Sequence, residues 1–260
     1  MQVRIATDAP GSVRAQALVL PLFSTTLDDA AKAIDGDLDG ALAEIVSSGE
    51  IKGKLAESVL LHAHGKPYKR VLLIGLGEAD KFEPWMLARY GGTAVRYLGR
   101  RNAREIAFVL PPQCKGNETA CASFLIEGCV SGQFDTSIYQ KDPERRSGAD
   151  SVVVLGGDFD VAALQKGVER GEILGEAVNF ARRLAITPAN DMTPTVLAEE
   201  ATKAAKDAGL EIEVLDEARC RAEGMGSFLS VAQGSAQPPK FIVMTYRGDP
   251  SSKELLALVG

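Results

Sequence analysis

Few residues in this 260-residue chain are both chemically capable and grouped. His62-Ala63-His64 is the only histidine pair, and the chain has no other histidine. On a strand, residues i and i+2 share a face, so both imidazoles could reach one metal ion. A zinc site needs a third protein ligand, however, and Lys66 and Pro67 follow at once. That pattern reads as a strand end running into solvent. Gly75-Leu76-Gly77 follows an apolar run and resembles the start of a phosphate-binding turn. The third glycine of a dinucleotide fingerprint is missing: Asp80 stands there, and its carboxylate would repel a phosphate. The competing expectation is a tight turn that uses glycine for its backbone angles.

The four cysteines, Cys114, Cys121, Cys129 and Cys220, form no C-x-x-C pair. Cys121 and Cys129 fall on one face of an expected helix, where cysteine acts as a small hydrophobe. Cys114 has no histidine near enough in sequence to make a nucleophile pair. In the stretch Pro188-Ala189-Asn190-Asp191-Met192-Thr193-Pro194 only Asp191 titrates, so its expected work is structural, with Asn190 and Thr193 bonding backbone groups around a turn. Gly234-Ser235 lacks the strand–turn–helix flanks of a serine nucleophile elbow. Nothing among these groups converges into a catalytic or metal constellation.

The elements that would position them alternate. Val3–Ala6, Ala17–Leu20, Glu57–His62, Arg70–Leu76, Glu105–Leu110 and Asp150–Leu155 read as strands. The uninterrupted apolar runs among them are typical of a mostly parallel sheet buried on both faces. Asp37–Val46, Glu83–Leu98 and Glu118–Val130 read as helices, which makes this half α/β. Lys141–Gly148 reads as a charged surface loop. A domain boundary is expected between Gly156 and Val161, followed by a long helix over Val161–Ile186. Pro188 cannot continue that helix, and Thr193-Pro194 is an N-cap with proline in the first turn of the next one. Thr195–Ala208 is then helical, Leu210–Leu215 a strand, Asp216–Arg221 a short helix, and Lys240–Tyr246 and Leu255–Val259 strands. These elements are too few to close a second core.

Composition bounds the function. Hydrophobic residues make up 45% and charged residues 25%, and the formal net charge is −6. This is the balance of a globular protein without a basic footprint, so nucleic acid is not a favoured partner. No apolar stretch approaches the length of a membrane span, and the N-terminus is unlike a signal peptide. Scattered thiols in a chain of this size read as reduced, hence a cytoplasmic protein.

The run Thr187-Pro188-Ala189-Asn190-Asp191-Met192-Thr193-Pro194 resembles the Pro-Ala-Asn-x-x-Thr-Pro loop of the leucine (cytosol) aminopeptidase family. Gly224-Met225-Gly226 with Val231-Ala232-Gln233-Gly234-Ser235 is similar to a second family run, and Pro239–Tyr246 to the strand after it. Arg70–Gly77 and Phe134-Asp135…Tyr139 are similar to its N-terminal domain. The chain departs from the family at Arg183, often acidic there, and at Ile186, often asparagine. The resemblance implies a macro-domain-like α/β domain over residues 1–158, a linking helix over 159–186, and an incomplete second α/β domain over 187–260. It also implies a two-metal exopeptidase that releases N-terminal amino acids from peptides with two manganese or zinc ions and assembles as a hexamer. In the family the metal ligands and the catalytic arginine follow the run corresponding to Ala257-Leu258-Val259-Gly260, so no residue is carried over as catalytic, metal-binding or cofactor-binding. The chain alone is therefore expected to be metal-free and inactive. The other reading is a non-catalytic, macro-like ligand-binding or interaction module.

Overall fold

The computed structural model describes residues 1–139 and 148–260. The charged loop expected over Lys141–Gly148 lies, through residue 147, outside the described residues. Contacts divide the chain into two units, Met1–Ala181 and Arg182–Gly260.

The first unit is built on a six-stranded sheet. Its strands are β1 (Gln2–Ala6), β2 (Ala17–Phe23), β3 (Ser58–His62), β4 (Arg70–Gly77), β5 (Glu105–Val109) and β6 (Ser151–Leu155), in the order β1-β6-β5-β2-β4-β3. All neighbours run parallel except the edge pair β3–β4. The central strand β2 is buried along its whole length, as an uninterrupted apolar run requires. Helices cover both faces: α1 (Asp29–Asp37) and α2 (Ala41–Ser48) one, and α3 (Met86–Gly99), α4 (Glu118–Gly132) and α5 (Val161–Ile186) the other. Alternate strand residues feed the two cores: Val19 and Phe108 one, Leu18 and Ala107 the other.

Two elements differ from the sequence expectation. The helix expected over Asp37–Val46 is two helices broken at Asp39 and Gly40, both left-handed with φ of 56° and 85°. Asp35 enforces the break, because its Oδ1 accepts the Leu42 and Ala43 amides at 2.7 and 3.1 Å and so caps α2 from the helix before it. The contact division into two units lies inside α5. The cause is steric: Gly167, Gly171 and Gly175 lie four apart, and a Cβ on them would stand 2.7 Å from Ala122 Cβ, 2.9 Å from Ile126 Cβ and 2.6 Å from Val130 Cβ. Only bare backbone lets α5 approach α4 so closely, and that contact holds most of the helix on the first unit. Gly91, Gly128 and Gly132 bring α3 and α4 together in the same way.

The second unit holds α6 (Pro194–Ala208), β7 (Glu211–Leu215), α7 (Glu217–Ala222), α8 (Gly226–Ala232) and β8 (Phe241–Thr245), with β7 and β8 paired antiparallel. The second difference is here: Leu255–Val259 forms no strand, and its leucines and valine are 84–95% exposed. A strand exists only where a neighbour completes its ladder, and among the described residues none pairs with this run. The short helix α8 has no counterpart in the sequence expectation.

Candidate functional site

The chemically capable residues are dispersed. His62 ends β3 and is exposed, as is His64 two residues on. Among the described residues, no group of three or more His, Cys, Asp or Glu side chains could hold a metal ion. The donors among the described residues therefore do not fit the two ions that the family resemblance implies.

The Gly75-Leu76-Gly77 turn is backbone architecture. The Gly77 amide donates to the Gly53 carbonyl at 2.8 Å, and the Ser24 amide to the Gly77 carbonyl at 2.8 Å. A Cβ on Gly75 would lie 2.5 Å from the carbonyl carbon of Gly53, and one on Gly53 2.7 Å from the Ser24 amide nitrogen. Glu57 Oε2 fixes this crossing by accepting the Lys52 and Lys54 amides at 2.9 and 3.0 Å. Gly77 itself is left-handed at φ 85°, a turn requirement rather than a phosphate cradle.

Cys114, Cys121, Cys129 and Cys220 are all buried and free. A hydrogen bond with the Cys121 side chain, together with burial, holds the Cys114 thiol far above its ordinary value. Burial alone does the same to Cys129. Neither forms a thiolate near neutrality, so neither is a nucleophile. In the 188–194 loop the Asp191 and Met192 amides donate to the Pro188 carbonyl at 2.9 and 2.8 Å. Thr193 caps α6 by accepting the Val196 amide at 3.3 Å. Asn190 bonds the Asp191 side chain at 3.1 Å instead of the backbone. Ser235 Oγ accepts the Gln237 amide at 3.1 Å.

One feature escaped the sequence reading. In open α/β sheets a ligand crevice lies outside the carboxyl ends of the strands, where successive connections depart to opposite faces. Here that place is between β2, whose chain goes on to α1, and β5, whose chain goes on to α4 on the opposite face. The β2–β5 ladder stops at Val19↔Phe108, and the strands part. The Tyr90 hydroxyl, from α3, fills the gap and shares its proton between the carbonyls of Val19 at 2.9 Å and Val109 at 3.1 Å. Its ring packs edge-on against Phe108, with centroids 5.5 Å apart. Because the Val19 carbonyl faces β5, Pro21 two residues on faces the same way, so its missing N–H falls where the ladder has ended. The partly buried Asp28 carboxylate lies near enough to act electrostatically on Tyr90. Burial raises the pKa of Asp28, against the lowering effect of the Ala31 amide it caps at 2.8 Å. A proline inside the apolar run Ala17–Phe23 was the available signal for this seam.

An open six-stranded sheet covered by helices on both faces, followed in the chain by α6, β7, α7, α8 and β8, is the architecture shared with known proteins. The chain belongs to the cytosol aminopeptidase family: residues 19–143 match its N-terminal domain and residues 179–260 its catalytic domain. A probable cytosol aminopeptidase of Solibacter usitatus is 40% identical over 261 residues, covering 100% of this chain and 51% of that protein. One from Synechococcus elongatus is 33% identical, covering 97% and 50%. A tomato leucine aminopeptidase mutant superposes with a TM-score of 0.81 at 25% identity, covering 93% of this chain and 50% of the other. The bottromycin maturation enzyme BotP, solved in complex with Mn, shares the fold at a TM-score of 0.68 and 22% identity, covering 91% and 46%. The chain thus spans about half the length of the curated relatives it matches.

Proposed function

We propose that this chain is part of a leucyl (cytosol) aminopeptidase, a metallo-exopeptidase that releases N-terminal amino acids from peptides in the cytoplasm. The observation that carries the reading is the match to both domains of one family, in order. In this reading residues 1–158 form the N-terminal domain, 159–186 the connecting helix, and 187–260 the opening of the catalytic domain. The complete enzyme is a hexamer, and two divalent ions, manganese or zinc, supply its hydroxide and polarise the peptide carbonyl. In this reading the described residues contribute no cluster that could hold either ion, and the part this chain plays in the reaction is scaffold. A ligand at the β2–β5 seam would have to compete with the Tyr90 hydroxyl for the Val19 and Val109 carbonyls, so we favour the peptidase reading over the ligand-binding alternative.

The test is a chimera. Residues 1–260 are fused to the remaining half of the Solibacter usitatus relative and compared with the chain alone. The chimera is expected to hydrolyse leucine p-nitroanilide with added manganese and to lose that activity to a chelator. The chain alone is expected to be inactive and free of stoichiometric metal. A folded, metal-loaded chimera without activity refutes the reading. So does chelator-sensitive turnover by the chain alone.

A further inference from the structure

Cys114, Cys121 and Cys129 lie in the core that α3 and α4 close over the sheet. Two of these thiols meet: the Cys114 and Cys121 side chains are hydrogen-bonded to each other. Local backbone brings them together. A single 3-10 turn over Pro112–Cys114 leads into α4. The Asn117 amide donates to the Cys114 carbonyl at 2.9 Å, and the Cys121 amide to the Asn117 carbonyl at 2.9 Å. The chain thus doubles back at the start of α4. Cys129 faces Gly91 of α3, and the Cys220 thiol donates to the Leu215 carbonyl at 3.9 Å in the second unit. Packing asks only for small apolar groups at 114 and 121, whereas two thiols in contact can also react.

Cys114 is buried, but the segment that carries it is not. Pro112, Gln113, Lys115, Gly116 and Asn117 are all exposed. Gly116 is left-handed at φ 84°, and the Asn117 side chain makes no capping bond to α4. A connector with exposed backbone and no cap opens locally at small cost. Opening lifts Cys114 out of the core while Cys121 stays on its helix. In the closed form, the Cys121 bond and burial keep the Cys114 thiol protonated and inert. In the open form it is an ordinary thiol, and a fraction ionises near neutrality.

We propose that Cys114 and Cys121 form a modification site, a reversible disulfide that hydrogen peroxide makes across the start of α4. The Cys114 thiolate attacks one peroxide oxygen and the O–O bond breaks. The departing hydroxide takes up the proton that the thiol released and becomes water, and Cys114 is left as a sulfenic acid. When the connector closes, the Cys121 sulfur attacks the Cys114 sulfur. The S–O bond breaks, and the oxygen leaves with the Cys121 proton as a second water. Two electrons pass from the paired sulfurs to the peroxide, and a dithiol returns them. Two sulfurs already in contact need only draw together to about 2.05 Å. The proposal does not depend on the peptidase reading, because both thiols lie in the first unit and the readout is sulfur chemistry.

The experiment treats the intact chain with hydrogen peroxide to the dose at which exposed Met244 becomes sulfoxide. The chain is then unfolded, alkylated and mapped by mass spectrometry. Untreated chain should alkylate at four cysteines. Treated chain should alkylate at two, Cys129 and Cys220, and carry a Cys114–Cys121 cross-link lighter than the two thiols by two hydrogens. Dithiothreitol before alkylation should restore all four. Cys121→Ala should leave Cys114 as a sulfenic acid that dimedone captures, and Cys114→Ala should leave Cys121 a thiol. Should a variant fail to fold, the parent's cross-link map decides. Four surviving thiols at that dose, a link between another pair, or Cys114 carried to the sulfinic acid without a cross-link overturns the inference. So does dimedone capture at Cys121 in place of Cys114.

Discussion

Replacing Tyr90 with phenylalanine isolates what the parted seam costs. The ring and its contact with Phe108 remain, and only the hydroxyl that serves Val19 and Val109 is lost. Two carbonyls are then left in a buried site. A net hydrogen bond contributes about 1 kcal/mol, and a stranded buried acceptor costs about 1–3 kcal/mol. One proton shared between two acceptors puts the expected loss near the middle, about 2 kcal/mol. For a cooperative unit of this size each kcal/mol moves Tm by about 2–4 °C, so the expected drop is about 4–8 °C. Trp85, the only tryptophan, stands at the start of α3 in the same unit and reports urea unfolding by fluorescence. A variant within about 0.5 kcal/mol of the parent, the range of ordinary surface changes, would refute the account. It would mean that the two carbonyls find other donors and that the seam is not held by Tyr90.

Two further outcomes are expected. Gly171→Ala places a Cβ against the backbone and Ile126 of α4, a clash of the overpacking kind, and should destabilise by about 1–3 kcal/mol in urea melts; a neutral result would mean that α5 is free to shift. Asp28→Asn keeps an N-cap but removes a carboxylate whose pKa burial raises, so the two proteins should differ with pH. The native Asp28 contributes stability below its unfolded value that is lost as pH rises through its raised folded value. The variant should therefore gain on the parent at neutral pH and lose that advantage in acid, and a difference independent of pH would contradict this.

The sheet was legible because buried parallel strands are continuous apolar runs, as in Val71–Leu76 and Val152–Leu155. The family was legible because its loops carry proline and glycine at fixed backbone positions. Where the sequence misled, long-range geometry decided. The pattern of Leu38, Ala41, Leu42 and Ile45 continues through a break that Asp35 creates from outside it. The glycines of α5 look like helix weaknesses until α4 stands against them. Tyr90 reaches a carbonyl 71 positions away, which no local window contains. Leu255–Val259 has a strand's composition, but a strand also needs a neighbour.

The three glycines that seat α5 also bear on the order of assembly. Gly167 meets Thr119 and Ala122, Gly171 meets Ser123 and Ile126, and Gly175 meets Val130, all across more than forty positions of chain. Such contacts reward the chain only after the intervening loop has closed, and glycines themselves favour no helix beforehand. The docking surface on α4 must be in place, with β6 laid beside β1 and β5, before α5 gains anything by adopting its shape. Seating of α5 is thus expected to be a late event. Gly171→Ala should accordingly speed unfolding more than it slows folding, giving a φ-value near zero.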